Sequence, residues 1–346
     1  MIHFDTDYME GAHPQVMEQL MKTNLVQTPG YGCDEYSKRA KELLIARCGL
    51  DNKAKIFFLV GGTQTNATVI DGLLSHHEGV LAATTAHINV HESGAIEASG
   101  HKVLTLPSHH GKVKTEEVEE YISSFYADET YEHMVVPGML YISQPTEYGT
   151  LYSKEEMTEL HRICQKANIP LYMDGARLAY ALGSPENEVS LEEIAHLCDV
   201  FYVGGTKCGL LFGEAVVVPQ GETTLPHFFP LVKQHGALLA KGRLQGVQFE
   251  TLFRNQLYEE IGVHAVRLAL KLKEAFVNRG YQLHIDSFTN QQFVVLPNEI
   301  MDRLGEEASF EIWGPRGVKE TIVRFVTSWA TKEEDVDRLI ELLPTR

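Results

Sequence analysis

Three polar segments that could take part in chemistry each follow an apolar, strand-like stretch of the sequence. Gly62 and Thr63 lie where one stretch ends and a helix is expected to begin, so free backbone amides and a hydroxyl could bind an anion there. Asp174 ends a second stretch and is followed by Arg177, while Lys207 follows a third stretch and stands among small residues. Burial there would lower the pKa of the lysine amine and make it a nucleophile toward carbonyls. Because ligands collect at the carboxyl ends of strands in open α/β sheets, these segments are candidates for one site.

Each segment also has a purely structural interpretation. The glycines could form a turn with a threonine N-cap, Asp174 and Arg177 could pair to cap a strand, and most lysines are solvated surface groups. The nucleotide-binding patterns GxGxxG and GxxxxGK(S/T) do not describe the glycine segment. Together, however, the three segments match the needs of pyridoxal phosphate. This cofactor requires an anion site for its phosphate, a carboxylate that keeps its pyridine nitrogen protonated, and a lysine amine for its aldehyde.

The pattern of apolar residues predicts an α/β fold that would hold these segments at one edge of a mostly parallel sheet. Seven short apolar stretches alternate with helical patterns, at residues 56–60, 80–83, 103–106, 139–142, 169–173, 200–203 and 215–218. Four further strands are predicted in the tail, at residues 281–285, 292–296, 310–313 and 321–327. We therefore expect a large domain over residues 1–245 and a connecting helix with a smaller α+β domain over residues 246–346. A helical pattern from Leu231 to Phe276 predicts one long helix that joins them rigidly.

The composition argues against several classes of function. The 346 residues include 30 Lys and Arg against 47 Asp and Glu, a formal charge of −17, which does not fit a general binder of nucleic acid or of anionic membranes. The five cysteines form no CxxC pair, and no third ligand accompanies His87 and His91, so neither a disulfide framework nor a metal site is expected. The sequence has no signal-peptide pattern and no apolar run of about 18 residues, so we expect a cytoplasmic protein.

Over nearly its whole length the chain resembles the low-specificity L-threonine aldolases, which belong to the aspartate-aminotransferase-like class of pyridoxal-phosphate enzymes (fold type I). The motifs that carry the resemblance are Thr6-Asp7, Gly11-Ala12-His13-Pro14, Tyr31-Gly32-Cys33-Asp34, Gly61-Gly62-Thr63-Gln64-Thr65-Asn66, Ala86-His87-Ile88, Asp174-Gly175-Ala176-Arg177-Leu178, Gly205-Thr206-Lys207 and Val323-Arg324-Phe325-Val326-Thr327. The most specific part is the Asp-Gly-Ala-Arg segment followed by Lys207.

The resemblance implies a role for each matching residue. For the cofactor it implies Lys207 at the aldehyde, Asp174 at the pyridine nitrogen, Gly62 and Thr63 at the phosphate, His87 stacked on the ring, and Arg177 and Arg243 as further contacts. For the substrate carboxylate it implies Thr6, Arg177 and Arg324. Lys207, His87 and Asp174 would be the catalytic residues. The resemblance also implies a homodimer or homotetramer in which Arg243 and Tyr31 reach a neighbouring site.

The implied reaction is cleavage of L-threonine, L-allo-threonine or a related β-hydroxy-α-amino acid to glycine and an aldehyde. One departure from the family pattern concerns the base that acts on the β-hydroxyl. Typical members carry a second histidine in a Glu-Asn-Thr-His-Asn segment, whereas the matching stretch here, residues 142–149, contains none. His87, Glu147, Thr146 or a water on the phosphate could act instead, and aromatic substrates could be accepted.

Other functions remain open at this stage. Within the same cofactor class, the alternative is a β-eliminating lyase, which removes the Cα proton, and an aminotransferase is a weaker one. A dinucleotide or nucleotide-sugar enzyme lacks its glycine fingerprint here. A non-catalytic regulator would have no need for Lys207.

Overall fold

The structure, a computed structural model, describes residues 1–345. These residues form thirteen strands: β1 (Ile2–His3), β2 (Lys55–Leu59), β3 (Glu78–Ala83), β4 (Lys102–Leu106), β5 (Val136–Ser143), β6 (Leu171–Asp174), β7 (Val200–Gly204), β8 (Glu214–Val218), β9 (Gln282–Ile285), β10 (Gln291–Pro297), β11 (Ala308–Ser309), β12 (Glu311–Ile312) and β13 (Glu320–Val326). Strands β2 to β8 build one sheet in the spatial order β2-β8-β7-β6-β5-β3-β4. Six of these strands run in the same direction, and only β8 runs in the opposite direction. The mostly parallel, seven-stranded sheet is therefore confirmed.

The same residues form fourteen α-helices: α1 (Pro14–Thr23), α2 (Glu35–Arg47), α3 (Gly62–Leu73), α4 (His87–Val90), α5 (Ala95–Ala98), α6 (Thr115–Ala127), α7 (Lys154–Ala167), α8 (Leu178–Leu182), α9 (Leu191–Leu197), α10 (Phe228–Gln234), α11 (Arg243–Arg254), α12 (Leu257–Asn278), α13 (Asn298–Leu304) and α14 (Glu333–Leu342). Two 3-10 helices cover Tyr131–His133 and Gly221–Thr223. Within residues 1–345, no helix is both long and apolar enough to cross a membrane.

The strands form where the sequence is apolar because both faces of the large sheet are covered. Every residue of β6, β7 and β8 is buried, which explains why these strands contain continuous rather than alternating apolar residues. Helix α7 begins at a capping box, in which Ser153 Oγ accepts from the Glu156 N–H and the Glu156 carboxylate accepts from the Ser153 N–H. Its apolar face, with Met157 and Leu160, packs against the core.

A second, smaller sheet lies in the C-terminal part of the chain. Strands β12, β13, β10 and β9 pair antiparallel in that order. The first residues of the chain also join this region, since β1 pairs with β11 and Phe4 packs in the same apolar cluster as Val323 and Phe325. The division of the chain at residue 245 remains a prediction.

The prediction of one long helix from Leu231 to Phe276 is wrong, because the segment contains three helices, α10, α11 and α12. Helix α10 ends before Gly236, which has a φ of +71°, and α11 begins only at Arg243. A second break separates α11 from α12 at Gln256, whose φ of +61° is left-handed. The apolar periodicity continues across both breaks because α10, α11 and the first half of α12 pack against the large core, and the second half of α12 packs in the smaller apolar cluster.

The carboxyl ends of β5, β6 and β7 lie side by side. Ser143 at the end of β5 pairs with Asp174 at the end of β6. The chain then packs very closely: a Cβ atom at Gly175 would lie 1.9 Å from the Tyr202 carbonyl oxygen, and one at Gly204 would lie 2.4 Å from the Ala176 oxygen. Glycine is therefore required at both positions to bring these strand ends together.

Candidate active site

A cavity lies at this edge of the large sheet, and six of the predicted residues line it: Gly62, His87, Glu147, Asp174, Arg177 and Lys207. Apart from Asp174 and Arg177, which are three residues apart, they come from separate segments of the chain. Gly62 begins α3, His87 begins α4, Asp174 ends β6, Arg177 precedes α8, and Lys207 follows β7. The parallel topology therefore places the three polar segments of the sequence around one space.

Asp174 is a buried carboxylate that accepts four hydrogen bonds. Its Oδ1 accepts from the Tyr202 hydroxyl (2.6 Å) and from the Ala176 N–H (2.9 Å). Its Oδ2 accepts from the Tyr141 hydroxyl (2.7 Å) and from Asn66 Nδ2 (2.9 Å). Burial alone would raise the pKa of Asp174, but the hydrogen bonds from Tyr202, Asn66 and Ala176 help to hold the pKa below its ordinary value. The group is therefore an ionised carboxylate inside the cavity wall.

Lys207 presents an amine that has no hydrogen bond to any group in residues 1–345. The Tyr8 ring lies 6.0 Å from its Nζ. Burial and the positive charge of Arg177 lower the pKa of Lys207, against the attraction of Asp7 and Asp174. A lysine in this environment is poised to react with a carbonyl group.

A buried acid binds the loop that carries Lys207. Glu214, at the start of β8, accepts from the Gly205 N–H (3.0 Å) and from Thr206 Oγ1 (2.7 Å). Burial raises the pKa of Glu214 to about 8. On the other side, the Tyr180 hydroxyl donates to the Lys207 carbonyl oxygen (2.6 Å). The backbone on both sides of the amine is thus held in place.

Arg177 lines the cavity but is already paired. Its Nε and Nη2 donate to the two carboxylate oxygens of Asp7 at 2.6 and 3.0 Å, and Asn290 also donates to Asp7 (2.9 Å). Burial would raise the pKa of Asp7, but Arg177 and Lys207 hold it below its ordinary value. The neighbouring Thr6, predicted to contact a substrate carboxylate, does not line the cavity.

Arg324 extends from β13 of the small sheet toward the same region. Its Nη1 donates to Gln291 Oε1 (2.8 Å), its Nη2 donates to Glu311, and its guanidinium lies 5.0 Å from the Trp313 ring centroid. Its Nε is buried and has no hydrogen-bond partner within residues 1–345. Burial lowers the pKa of Arg324, and the charge of Arg177 lowers it further. Arg324 is not among the residues that line the cavity, and it pairs with Glu311 as Arg177 pairs with Asp7, so its unpartnered Nε is the donor that it has left for an anion.

His87 and Glu147 both line the cavity and are in direct contact. The His87 backbone N–H donates to Glu147 Oε1 (3.0 Å), and Ser143 Oγ donates to the same oxygen (2.8 Å). Glu147 Oε2 is shielded from solvent and has no partner within the described chain. Burial raises the pKa of Glu147, and the negative charge of Asp174 adds to this rise.

Of the two residues predicted to replace the missing histidine, the cavity contains only one. Glu147 lines it, whereas Thr146 is buried away from it and its Oγ1 lies 2.7 Å from Thr150 Oγ1. The Thr146 hydroxyl therefore has a structural partner, and Glu147 keeps a free carboxylate oxygen beside the cavity.

The start of α3 fits the phosphate of pyridoxal phosphate. Gly61 caps this helix without a side-chain hydrogen bond, so the first backbone amides, from Gly62 onward, are available to an anion. Thr65 Oγ1, in the first turn, is buried and lacks a hydrogen-bond partner in residues 1–345. Thr63 is exposed on the outer side of the turn. With the free amine of Lys207 and the ionised Asp174, the residues present fit this cofactor.

Arg243 and Tyr31 lie outside the cavity of their own chain. The Arg243 guanidinium donates to the backbone carbonyl oxygens of Thr23 and Val26. Tyr31 is exposed and has a left-handed φ of +58°. The structure of one chain does not bring these two residues to the site, so their predicted contact with a neighbouring site remains a prediction.

Sequence reasoning missed several residues that hold the site together. Tyr141 and Tyr202 lie in apolar stretches from which the sequence predicts only strands, yet each donates to Asp174. The resemblance includes Asp7 in a motif but implies no role for it. The sequence could have indicated that Asp7 and Glu214 are paired, because an acid inside a buried segment needs a hydrogen-bonding or charged partner. The identity of that partner, as with Arg177 for Asp7, depends on contacts between distant parts of the chain.

Comparisons with known proteins agree with this geometry. The family model described as beta-eliminating lyase matches residues 3–286. The low specificity L-threonine aldolase of Pseudomonas aeruginosa is 28% identical over 351 aligned residues, which cover 98% of this chain and 95% of that protein.

Solved structures point the same way. The structure of Leishmania major threonine aldolase superposes with a TM-score of 0.95 at 38% identity, covering 99% of this chain and 98% of that one. Aspartate aminotransferase from Thermus thermophilus, at 16% identity and a TM-score of 0.71 with 99% and 90% covered, shares the fold. This chain therefore belongs to the beta-eliminating lyase family.

Proposed function

We propose that the protein uses pyridoxal phosphate to cleave L-threonine, L-allo-threonine or a related β-hydroxy-α-amino acid into glycine and an aldehyde. One observation carries the proposal: the unpaired amine of Lys207 shares a cavity with the ionised carboxylate of Asp174, next to a pair of arginines. The threonine aldolases from Pseudomonas aeruginosa and Leishmania major support the assignment, since they match nearly the whole chain.

Four parts of the cavity would hold the cofactor. Lys207 would bind its aldehyde, Asp174 its pyridine nitrogen, and the amides at the start of α3 with Thr65 its phosphate, while the His87 ring would stack on it. When bound, pyridoxal phosphate supplies an electron sink for the pair released by the breaking Cα–Cβ bond. Asp174 serves this chemistry because its four donors keep it ionised, and an ionised carboxylate keeps a proton on the pyridine nitrogen.

The arginine pair would bind the substrate carboxylate. Arg324 has a buried Nε with no partner, and Arg177 is close enough to depress the pKa of Arg324. A carboxylate between them would relieve this repulsion and accept charge-assisted hydrogen bonds. Asp7 takes two nitrogens of Arg177 and orients it, while Gln291 and Glu311 take two nitrogens of Arg324. The contact with the substrate carboxylate would therefore use the unpartnered Nε of Arg324. Fixing the carboxylate also fixes which bond of the amino acid is broken.

Cleavage also needs a base for the β-hydroxyl proton. The imidazole of His87 and the carboxylate of Glu147 are the two groups of the cavity that can accept it. The raised pKa of Glu147 brings this acid closer to neutral pH, where a carboxyl group can both take and return a proton. The missing histidine of the family pattern therefore leaves a site that still contains two proton acceptors.

The test is the identity of the products. Purified protein loaded with pyridoxal phosphate is incubated with L-threonine, L-allo-threonine and phenylserine, and glycine, aldehyde, ammonia and keto acid are measured. We expect glycine and the matching aldehyde in equal amounts from at least one substrate, and none from the Lys207→Ala variant. Ammonia and a keto acid without glycine would instead support the β-eliminating lyase, which the family description favours only weakly.

We also propose that the chain is a homo-oligomer, at least a dimer, located in the cytoplasm. Tyr31 and Phe229 are exposed apolar residues that line one surface depression, and Leu25 is 91% exposed. Such a surface fits a second copy of the chain better than water. All five cysteines are free, as is usual in a reducing compartment. Sedimentation of a fully active 38.8 kDa monomer would contradict the oligomer.

A further inference from the structure

A buried carboxylate stands directly behind His87. The Glu92 side chain has no solvent exposure, and its Oε1 lies 2.7 Å from His87 Nδ1. The His87 side chain itself is one-third exposed and lines the cavity. An imidazole held in this way has one nitrogen committed to a partner and the other available to a ligand.

Asn66 joins the same carboxylate to the cofactor site. Its Nδ2 donates to Glu92 Oε1 (2.8 Å) and to Asp174 Oδ2 (2.9 Å). The orientation of this amide is fixed, because the Tyr172 hydroxyl donates to Asn66 Oδ1 (2.8 Å). Burial raises the pKa of Tyr172 well above its ordinary value, so this hydroxyl keeps its proton and remains a donor.

The hydrogen bonds determine which atom of His87 carries the proton. Glu92 Oε1 already accepts from Asn66, so it acts as an acceptor and His87 Nδ1 is the donor. Glu92 Oε2 is buried and has no partner in residues 1–345, so Oε1 makes both contacts of this carboxylate, with Asn66 and with His87. Two other titratable groups adjoin the ring: Glu147, which accepts from the His87 backbone, and His91, whose ring centroid is 5.7 Å away. Neither of them binds Nδ1.

We propose that Glu92 is a positioning residue that holds the His87 proton on Nδ1 and leaves the Nε2 lone pair free for a proton of the substrate hydroxyl. The inference rests on the proposed aldolase function for its catalytic consequence, but the tautomer itself does not depend on it. The side-chain amide of Asn66 donates to both Glu92 and Asp174 and so connects the two carboxylates. The histidine that would stack on the cofactor ring and the acid that would bind its nitrogen are thus parts of one hydrogen-bonded unit.

The test compares Glu92→Gln and Glu92→Asp with a matched control, Glu117→Gln. Glu117 Oε1 lies 2.8 Å from His109 Nε2, so it forms a similar histidine–glutamate contact outside the cavity. Nitrogen-15 NMR of the cofactor-free chain reports the tautomer of His87, whose signals are identified by their loss in His87→Asn. We expect Nδ1–H in the wild type, a shift toward Nε2–H in Glu92→Gln, and retention of Nδ1–H in Glu92→Asp and Glu117→Gln.

Kinetics with the loaded enzyme supply the second readout. Removing a residue that orients a functional histidine typically costs about 10- to 100-fold in activity. We expect Glu92→Gln to lower kcat by that factor with little change in KM, Glu92→Asp to restore part of it, and Glu117→Gln to leave it unchanged. An Nε2–H tautomer in the wild type, or an unchanged kcat in a folded Glu92→Gln protein, would overturn the proposal. If the wild type cleaves no β-hydroxy amino acid, the proposed function fails, while the NMR result still decides the role of Glu92.

Discussion

Replacing Asp174 with asparagine tests whether this residue is an ionised, four-fold acceptor. Asparagine has nearly the same shape but presents an NH₂ group to two of the four donors. A tyrosine hydroxyl can rotate to accept, whereas the Ala176 N–H and the Asn66 amide cannot. Whichever way the new amide turns, one donor that cannot rotate is therefore left facing another donor.

The expected loss of stability follows from these contacts. One buried donor without an acceptor costs about 1–3 kcal/mol, and the replacement of charged by neutral hydrogen bonds costs about 1 kcal/mol more. We therefore expect Asp174→Asn to lower the free energy of unfolding of the cofactor-free protein by about 2–4 kcal/mol at pH 7. Asp302→Asn is the control, because Asp302 is exposed and pairs with Arg316 at the surface, where such pairs contribute about 0–1 kcal/mol.

The assay is urea unfolding as a function of pH. The folded pKa of Asp174 lies below its ordinary value of 3.8, so the stability that depends on its charge is complete above that value. It is lost as the pH falls through the folded pKa, and the difference between wild type and Asp174→Asn should narrow there. A variant as stable as the wild type at pH 7, or a difference that does not change at acid pH, would refute the four-fold hydrogen-bonded carboxylate.

Two further predictions concern the substrate side of the cavity. Arg324→Gln removes a charged contact worth about 1.5–3 kcal/mol, so kcat/KM for amino acids should fall about 10- to 100-fold. Cofactor affinity, measured by absorbance titration, should be retained. Loss of cofactor affinity with an unchanged KM would instead indicate that Arg324 binds the phosphate. Glu147→Gln should remove or shift the acidic limb of the pH–rate profile. Burial raises the pKa of Glu147, and the residue accepts a proton only above that pKa. An unchanged acidic limb would leave His87 as the base.

Much of the fold could be predicted because local sequence determines it. The seven strands of the large sheet follow directly from apolar stretches that contain few polar residues, and the capping box at Ser153 marks the start of α7. The break between α11 and α12 could not be predicted in this way. Gln256 adopts a left-handed conformation without being a glycine, and the apolar period continues past it.

The site could be predicted in part for a similar reason. Asp174 and Lys207 stand out because a charged residue at the end of a buried strand is unusual. Their partners are invisible to local reasoning: Asp7 is 170 residues away from Arg177, and Asn66 is 108 residues away from Asp174. Glu92 is only five residues from His87, but its complete burial depends on the packing of the whole cavity wall.

The central claim is that Lys207 is the amine that holds pyridoxal phosphate in the cavity at the strand ends. The most direct measurement is to load the protein with the cofactor, reduce it with sodium borohydride, and locate the modified lysine by peptide mass spectrometry. We predict a single modified peptide, the one that contains Lys207, and no modification in Lys207→Ala. Stable labelling of another lysine, such as Lys41, whose pKa burial also lowers, or labelling that persists in Lys207→Ala, would contradict the claim.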